Sequence, residues 1–346
     1  MEKQIHGGNI YDKEVSLDFS VNINPLGMPD GVQDAILNNI SGYETYPDIR
    51  YTALREAVAG KERVQAERIL CGNGASELIM AVVRAEKPYK CAVAAPSFSG
   101  YERAVSAYGA ETEYYKLDEK NGFGYADACS QLKDMDIQMC FICNPNNPTG
   151  ITIPQDLLEE ILETCAMQGI FMVVDECFLD FVKDPEKHTL KEKLAKYPGL
   201  FILKAFTKRY AIPGVRLGYG FCSDGEVLDR MEAVTQPWNV STMAQQAGMA
   251  ALKEAEYVEA GRQIIFRESA WMKEKMRQLG LTVYPSEANY IFFYGPEDLF
   301  EICVAKGILI RDCSNYLGLK KGYYRVAVKL HEQNEKLIEV LEEVLS

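Results

Sequence analysis

From Arg68 to Leu203 short apolar runs alternate with longer stretches in which apolar residues recur every three or four positions. The runs are Ile69 to Cys71, Lys90 to Ala95, Gln138 to Cys143, Ile170 to Val174 and Phe201 to Leu203. Helical spacing falls between them: through Val83 after Ala75, from Ser97 to Tyr108, and over Leu157, Leu158, Ile161, Leu162 and Cys165. A strand that is apolar throughout has no solvent face, so its sheet must be covered on both sides. The alternation therefore predicts an α/β/α sandwich around a mostly parallel sheet. With 346 residues the chain exceeds a single core, and a second, smaller α+β lobe is expected. The pattern changes past Trp238. A helical region runs from Ser241 to Leu279, followed by short strands at 289–293, 308–310 and 323–327, a helix from Glu297 to Lys306 and a closing helix from Glu332. The expected division is a large domain over 42–240, with 1–41 joining 241–346 as an arm and small domain. The arm is loop-rich, with one helix after Pro29 and the large domain's first helix near Thr52.

Charge and composition remove several function classes. A net charge of −13 with no basic stripe argues against a nucleic-acid binder, which needs clustered Lys and Arg. No window approaches 18 uninterrupted apolar residues, so no membrane span is expected. The first residues lack the apolar core of a signal peptide, and ten scattered cysteines do not form a disulfide framework. The chain reads as cytoplasmic with reduced thiols. Its one CxxC, Cys140 and Cys143, lies in a strand, where residues three apart point to opposite faces. No metal site is expected.

In open α/β sheets ligands collect at the carboxyl ends of the strands, and the chemically distinctive residues sit there. The apolar run from Phe201 leads to Lys208, a Pro-Gly turn and, eight residues on, Arg216. A desolvated lysine loses its proton more readily and attacks carbonyls, while an arginine clamps phosphate. Surface charges flanking a loop would look the same. The turn Gly72-Asn73-Gly74 opens a helix whose free N–H groups favour a phosphate, or it is only a tight connection. Asp175 ends a buried run and needs a partner: a protonated pyridine nitrogen, a helix N-terminus or an ion pair. Phe98 could stack on a ring or fill the core, and Asn147 lies in a rigid Pro-rich loop suited to hydrogen bonding.

Four segments in order, NGASELI, CNPNNPTG, VVDECFLDF and FTKRYAIPGVRLGY, resemble the fold-type I pyridoxal phosphate (PLP) enzymes of the class I/II aminotransferase superfamily. The resemblance runs from about Asn22 to the C-terminus. It implies that Lys208 bonds the cofactor aldehyde, Asp175 meets the pyridine nitrogen and Asn147 the ring oxygen. Gly74, Ala75, Ser76, Thr207 and Arg216 would hold the phosphate, and Phe98 would stack on the ring. Tyr46, in YPD, resembles the tyrosine that reaches a neighbouring subunit's cofactor, which implies a homodimer. Two positions depart from the pattern. Ala205 stands where a Ser or Thr is usual, and Phe178 where many aminotransferases have a tyrosine. Each loses about 1 kcal/mol of hydrogen bonding.

Within that superfamily, HGGN followed by DFSVNINPLGMP, and RDCSNYLGLKKGYYRVAVK near the end, resemble the threonine-phosphate decarboxylases of cobalamin biosynthesis. The resemblance implies His6, Asn22 and Arg311 on the substrate phosphate and Arg325 on the carboxylate, with Asn147 also touching substrate. From position alone His6 is only an N-terminal residue. A phosphoamino acid has two anionic ends, which suits two arginines. Histidinol-phosphate aminotransferases share YPD, NPNNPTG and RDCS-like segments and are the nearest alternative. A non-catalytic PLP-binding sensor is a third reading, although such proteins usually carry a DNA-binding module and no basic segment is present.

Overall fold

The computed structural model describes residues 7–11 and 14–345. A seven-stranded sheet forms its centre, in the order Ile69–Gly72, Gly218–Cys222, Leu200–Ala205, Phe171–Asp175, Met139–Cys143, Lys90–Ala95 and Glu111–Lys116. Gly218–Cys222 runs antiparallel to both neighbours, and every other pairing is parallel. Helices Ala75–Glu86, Gly100–Tyr108 and Gln155–Met167 connect the strands as their apolar spacing requires. The inner strands are buried on both faces, which accounts for their unbroken apolar sequences.

Two strands escape the sequence pattern for opposite reasons. Glu111–Lys116 is an edge strand, largely polar, and Glu111 and Glu113 lie 3.7 and 3.5 Å from Lys90 on the strand beside it. Gly218–Cys222 contains two glycines and resembles a turn in sequence. Gly218 is needed for close approach, because a Cβ there would stand 2.4 Å from the amide nitrogen of Ala75. This strand thereby brings the Lys208–Arg216 loop back against the glycine turn at residue 74.

A four-stranded antiparallel sheet, ordered Arg311–Asp312, Tyr323–Ala327, Tyr290–Tyr294 and Thr282–Val283, builds the smaller unit. Its core is separate from the main one and centres on Met272, Met276, Ile291, Phe293, Val326 and Leu337. Phe19 belongs to this second core, and Leu17–Asp18 pairs with Ile308–Leu309, so the beginning of the chain is bound to its end. The helical region past Ser241 is two helices, Thr242–Ala251 and Ala255–Gln278.

A buried ion cluster lies beneath the main site. The lysine inside the apolar run is Lys204, on the strand itself, whereas Lys208 follows on the short helix Phe206–Arg209. Lys204 Nζ is 3.4 Å from Glu62 and 3.9 Å from Glu176, and Tyr219 donates to Glu62 at 2.7 Å. Burial alone would raise the Glu62 carboxyl, but Lys204 and the Tyr219 hydroxyl hold it down at about 2. Burial dominates for Glu176 and pushes it up to about 7. Removing one partner of a buried pair strands the other charge. Lys204→Met is expected to cost about 3–5 kcal/mol in urea denaturation. Glu62 has a lowered folded pKa, so its contribution is present above its ordinary 4.5 and lost as pH falls toward about 2. The variant should accordingly lose less stability than the wild type across that acid window.

Candidate active site

Strand register places Cys143, Asp175 and Leu203 side by side at the carboxyl edge of the sheet. The loops that follow bring Asn147, Asp175 and the Lys208 helix into one cleft. Asp175 is buried there and held at both oxygens. Tyr101 Oη donates to Oδ2 at 2.6 Å, and the Cys177 amide donates to Oδ1 at 2.9 Å. Lys208 is half-buried and lies 5.9 Å from the centre of the Phe178 ring. Burial, then the Arg325 and Arg216 charges, lowers its ammonium to about 8 against the opposing pull of Cys177 and Asp175. Phe178 packs edge-on to Tyr290 at 5.1 Å, so the site has an apolar wall where a tyrosine hydroxyl was the family expectation. Ala205 is buried at the end of its strand.

The glycine turn and Arg216 meet as the sequence suggested. Gly74 has φ of +78° and caps the helix Ala75–Glu86, whose first-turn N–H groups, those of Ala75 and Ser76 among them, have no intrahelical acceptor. A Cβ on Gly74 would stand 2.4 Å from Arg216 Nη2, so the guanidinium rests directly on this turn. Arg216 itself has φ of +59°, and its Nη1 donates to the Pro213 carbonyl at 3.2 Å. Thr207 is buried beside Lys208. Phe98 is half-buried and meets Tyr101 edge-on at 5.4 Å.

The second part of the site is a pair of arginines. Arg311 and Arg325 are both buried and stand directly opposite one another across antiparallel strands. Arg325 donates to Asn147 Oδ1 and to the Ser20 carbonyl at 2.7 Å, and its face lies 5.4 Å from the Tyr290 ring centre. With its amide oxygen turned toward the guanidinium, Asn22 accepts from Arg325 Nε and Nη1, each at 3.2 Å. Asn22 thus sits on Arg325. The reason is local: Ala327 donates to the Phe19 carbonyl at 2.8 Å, which draws the arm along the strand that carries Arg325. Arg311 donates to Asn315 Oδ1 at 2.9 Å and to the Asp312 carbonyl, and stacks 5.2 Å from the Tyr316 ring centre. Asn147 gives its oxygen to Arg325, which directs its amide nitrogen elsewhere as a donor.

Tyr46 is 78% exposed and packs 4.6 Å from Trp238, outside this cleft. His6 lies outside the described residues. Sequence reasoning overlooked Tyr101, which lies in the first turn of the helix Gly100–Tyr108 just after Phe98 and meets its ring edge-on. It also overlooked Asn24, whose amide nitrogens donate to the carbonyls of Lys208 at 2.9 Å and Arg209 at 3.1 Å.

The arrangement suits an aromatic aldehyde phosphate. It offers a lysine with lowered pKa, a fixed carboxylate, and a glycine cradle with helix N–H groups and an arginine. The lowered lysine predicts a measurable titration. An amine-selective reagent should label Lys208 of the cofactor-free protein at a rate that rises as pH passes about 8 and then levels. A rate still climbing toward the ordinary 10.5 would contradict the burial argument.

Similarity to known proteins agrees with this geometry. The family described as "Aminotransferase class I and II" matches residues 14–341. The threonine-phosphate decarboxylase of Salmonella typhimurium is 38% identical, over 99% of this chain and 96% of its own length. A histidinol-phosphate aminotransferase of Brevibacillus brevis is 30% identical, over 95% and 90%. The crystal structure of the histidinol-phosphate aminotransferase from Clostridium acetobutylicum superimposes with a TM-score of 0.88 at 30% identity, covering 95% of this chain and 99% of that one. The chain belongs to the class I and II aminotransferase family and has its fold-type I architecture.

Proposed function

We propose that this chain is a PLP-dependent carboxy-lyase that converts L-threonine O-3-phosphate to (R)-1-aminopropan-2-yl phosphate, a step in making cobalamin. The observation that carries the reading is the buried, cross-strand pair Arg311 and Arg325. Two guanidinium groups placed opposite each other concentrate positive charge and hydrogen-bond donors, which suits them to anionic groups. A substrate with a carboxylate and a phosphate supplies two such anions. The 38% identical decarboxylase relative carries the same substrate in its name.

We assign the cofactor to Lys208, Asp175, Asn147 and Phe98, with Gly74, Ala75, Ser76, Thr207 and Arg216 on its phosphate. Bound PLP supplies an electron sink for the pair left at the substrate Cα when a bond there breaks. The chain's residues decide which bond that is. Arg325, braced by Asn22, Ser20 and Asn147, holds the substrate carboxylate in one orientation. Arg311, with His6, holds the phosphate end. Decarboxylation requires the carboxylate to stand perpendicular to the cofactor ring, whereas amino transfer requires the C–H there. Lys208, partly neutral near pH 8, carries the proton that returns to Cα after CO2 departs.

Two further features support the setting. Leu37, Ile40, Tyr43, Tyr46, Ile49 and Trp238 are exposed, an apolar surface suited to a second copy of the chain, toward which Tyr46 would reach in a homodimer. The ten cysteines are buried free thiols, as a reducing cytoplasm allows. Among the described residues no helix is long and apolar enough to cross a membrane.

The test supplies L-threonine phosphate and PLP to the purified protein. Release of CO2 in step with a phosphorylated amino alcohol is expected. Consumption of 2-oxoglutarate with histidinol phosphate would assign the aminotransferase activity instead. PLP absorbance with neither turnover would identify a binding protein.

A further inference from the structure

Tyr101 belongs to the main buried core and has no role assigned at substrate or cofactor, yet it touches two of the assigned cofactor contacts. Its ring lies parallel to Phe141 at 5.0 Å and edge-on to Phe98 at 5.4 Å. Its hydroxyl donates to Asp175 Oδ2 at 2.6 Å, and both residues are buried. A short hydrogen bond to a carboxylate in a low-dielectric interior is strong, and it draws negative charge away from that carboxylate.

We propose that Tyr101 is a positioning residue that sets how much charge Asp175 presents to the cofactor ring nitrogen, while fixing the carboxylate plane relative to Phe98. The inference rests on the assignment of Asp175 made above. Cys177 occupies the other oxygen through its amide, so the carboxylate cannot rotate without losing a bond. The other titratable groups facing Asp175 are Cys143 on the neighbouring strand, Cys177 in the next turn, Lys208 on the short helix and Tyr290 from the small sheet. Burial, and then the Asp175 charge, hold the Tyr101 phenol well above its ordinary value. Burial does the same for the thiols of Cys143, to about 12, and Cys177. Tyr101 therefore remains a neutral donor across the pH range in which Lys208 titrates.

The experiment reads the pH midpoint of the visible absorbance of PLP-loaded protein, which reports the proton on the Lys208 nitrogen. Tyr101→Phe keeps the ring and removes only the hydroxyl. Asp175 then presents fuller negative charge, the proton is held more tightly, and the midpoint rises by about half a pH unit. Difluorotyrosine at 101, a stronger donor of nearly the same shape, lowers it, and stands in for the first variant should that variant not fold. A purely structural role would lower Tm and leave the midpoint unmoved, and an unmoved midpoint in both variants overturns the inference while the cofactor assignment stands. Wild-type protein that takes up no PLP overturns the assignment and the inference together.

Discussion

A single buried guanidinium joins the parts of this molecule. Arg325 stands on the small antiparallel sheet, yet its hydrogen bonds go to Ser20 and Asn22 of the N-terminal arm and to Asn147 of the large sheet's loop. A buried arginine left without acceptors would be costly, so these neutral oxygens must converge for the chain to fold as it does. The convergence leaves its positive charge uncompensated by those partners, a condition that an anionic ligand relieves. One residue thus ties three parts of the fold together and, under the proposed function, also receives the substrate.

The arm has the same double character. Asn22 braces Arg325, and Asn24, two residues later, satisfies the carbonyls at the end of the short helix that carries Lys208. On the far side of that helix Arg209 is paired with Asp180 at 3.0 Å, continuous with the Glu62, Glu176 and Lys204 cluster. The helix that carries Lys208 is therefore held by neutral hydrogen bonds from Asn24 and by the ion pair of Arg209 with Asp180. Rigid support of this kind is what a reactive side chain needs to keep its geometry.

Much of the architecture was legible because buried strands must be apolar on both faces. Met139–Cys143 and Phe171–Asp175 could be read to within a residue at each end, and Leu200–Ala205 over its apolar middle, Phe201 to Leu203. Glu111–Lys116 and Gly218–Cys222 could not, since an edge strand tolerates charge and a glycine pair reads as a turn. Lys204 hid within an apolar run because its burial depends on Glu62, more than a hundred residues away in sequence. Tyr101 hid for a similar reason: nothing local says that its hydroxyl reaches a strand 74 positions later.

By itself the sequence determined the family of folds, because the buried apolar strands and the segments carrying Asp175, Asn147, Lys208 and the glycine turn follow one another in the order that fold requires. Tertiary structure alone decided which of the buried polar groups meet. Asn22 lies on Arg325, and the two arginines face each other across one strand pair. Those relations depend on strand register and on where the arm crosses the small sheet. Both are set by long-range pairing, which no local run of residues encodes.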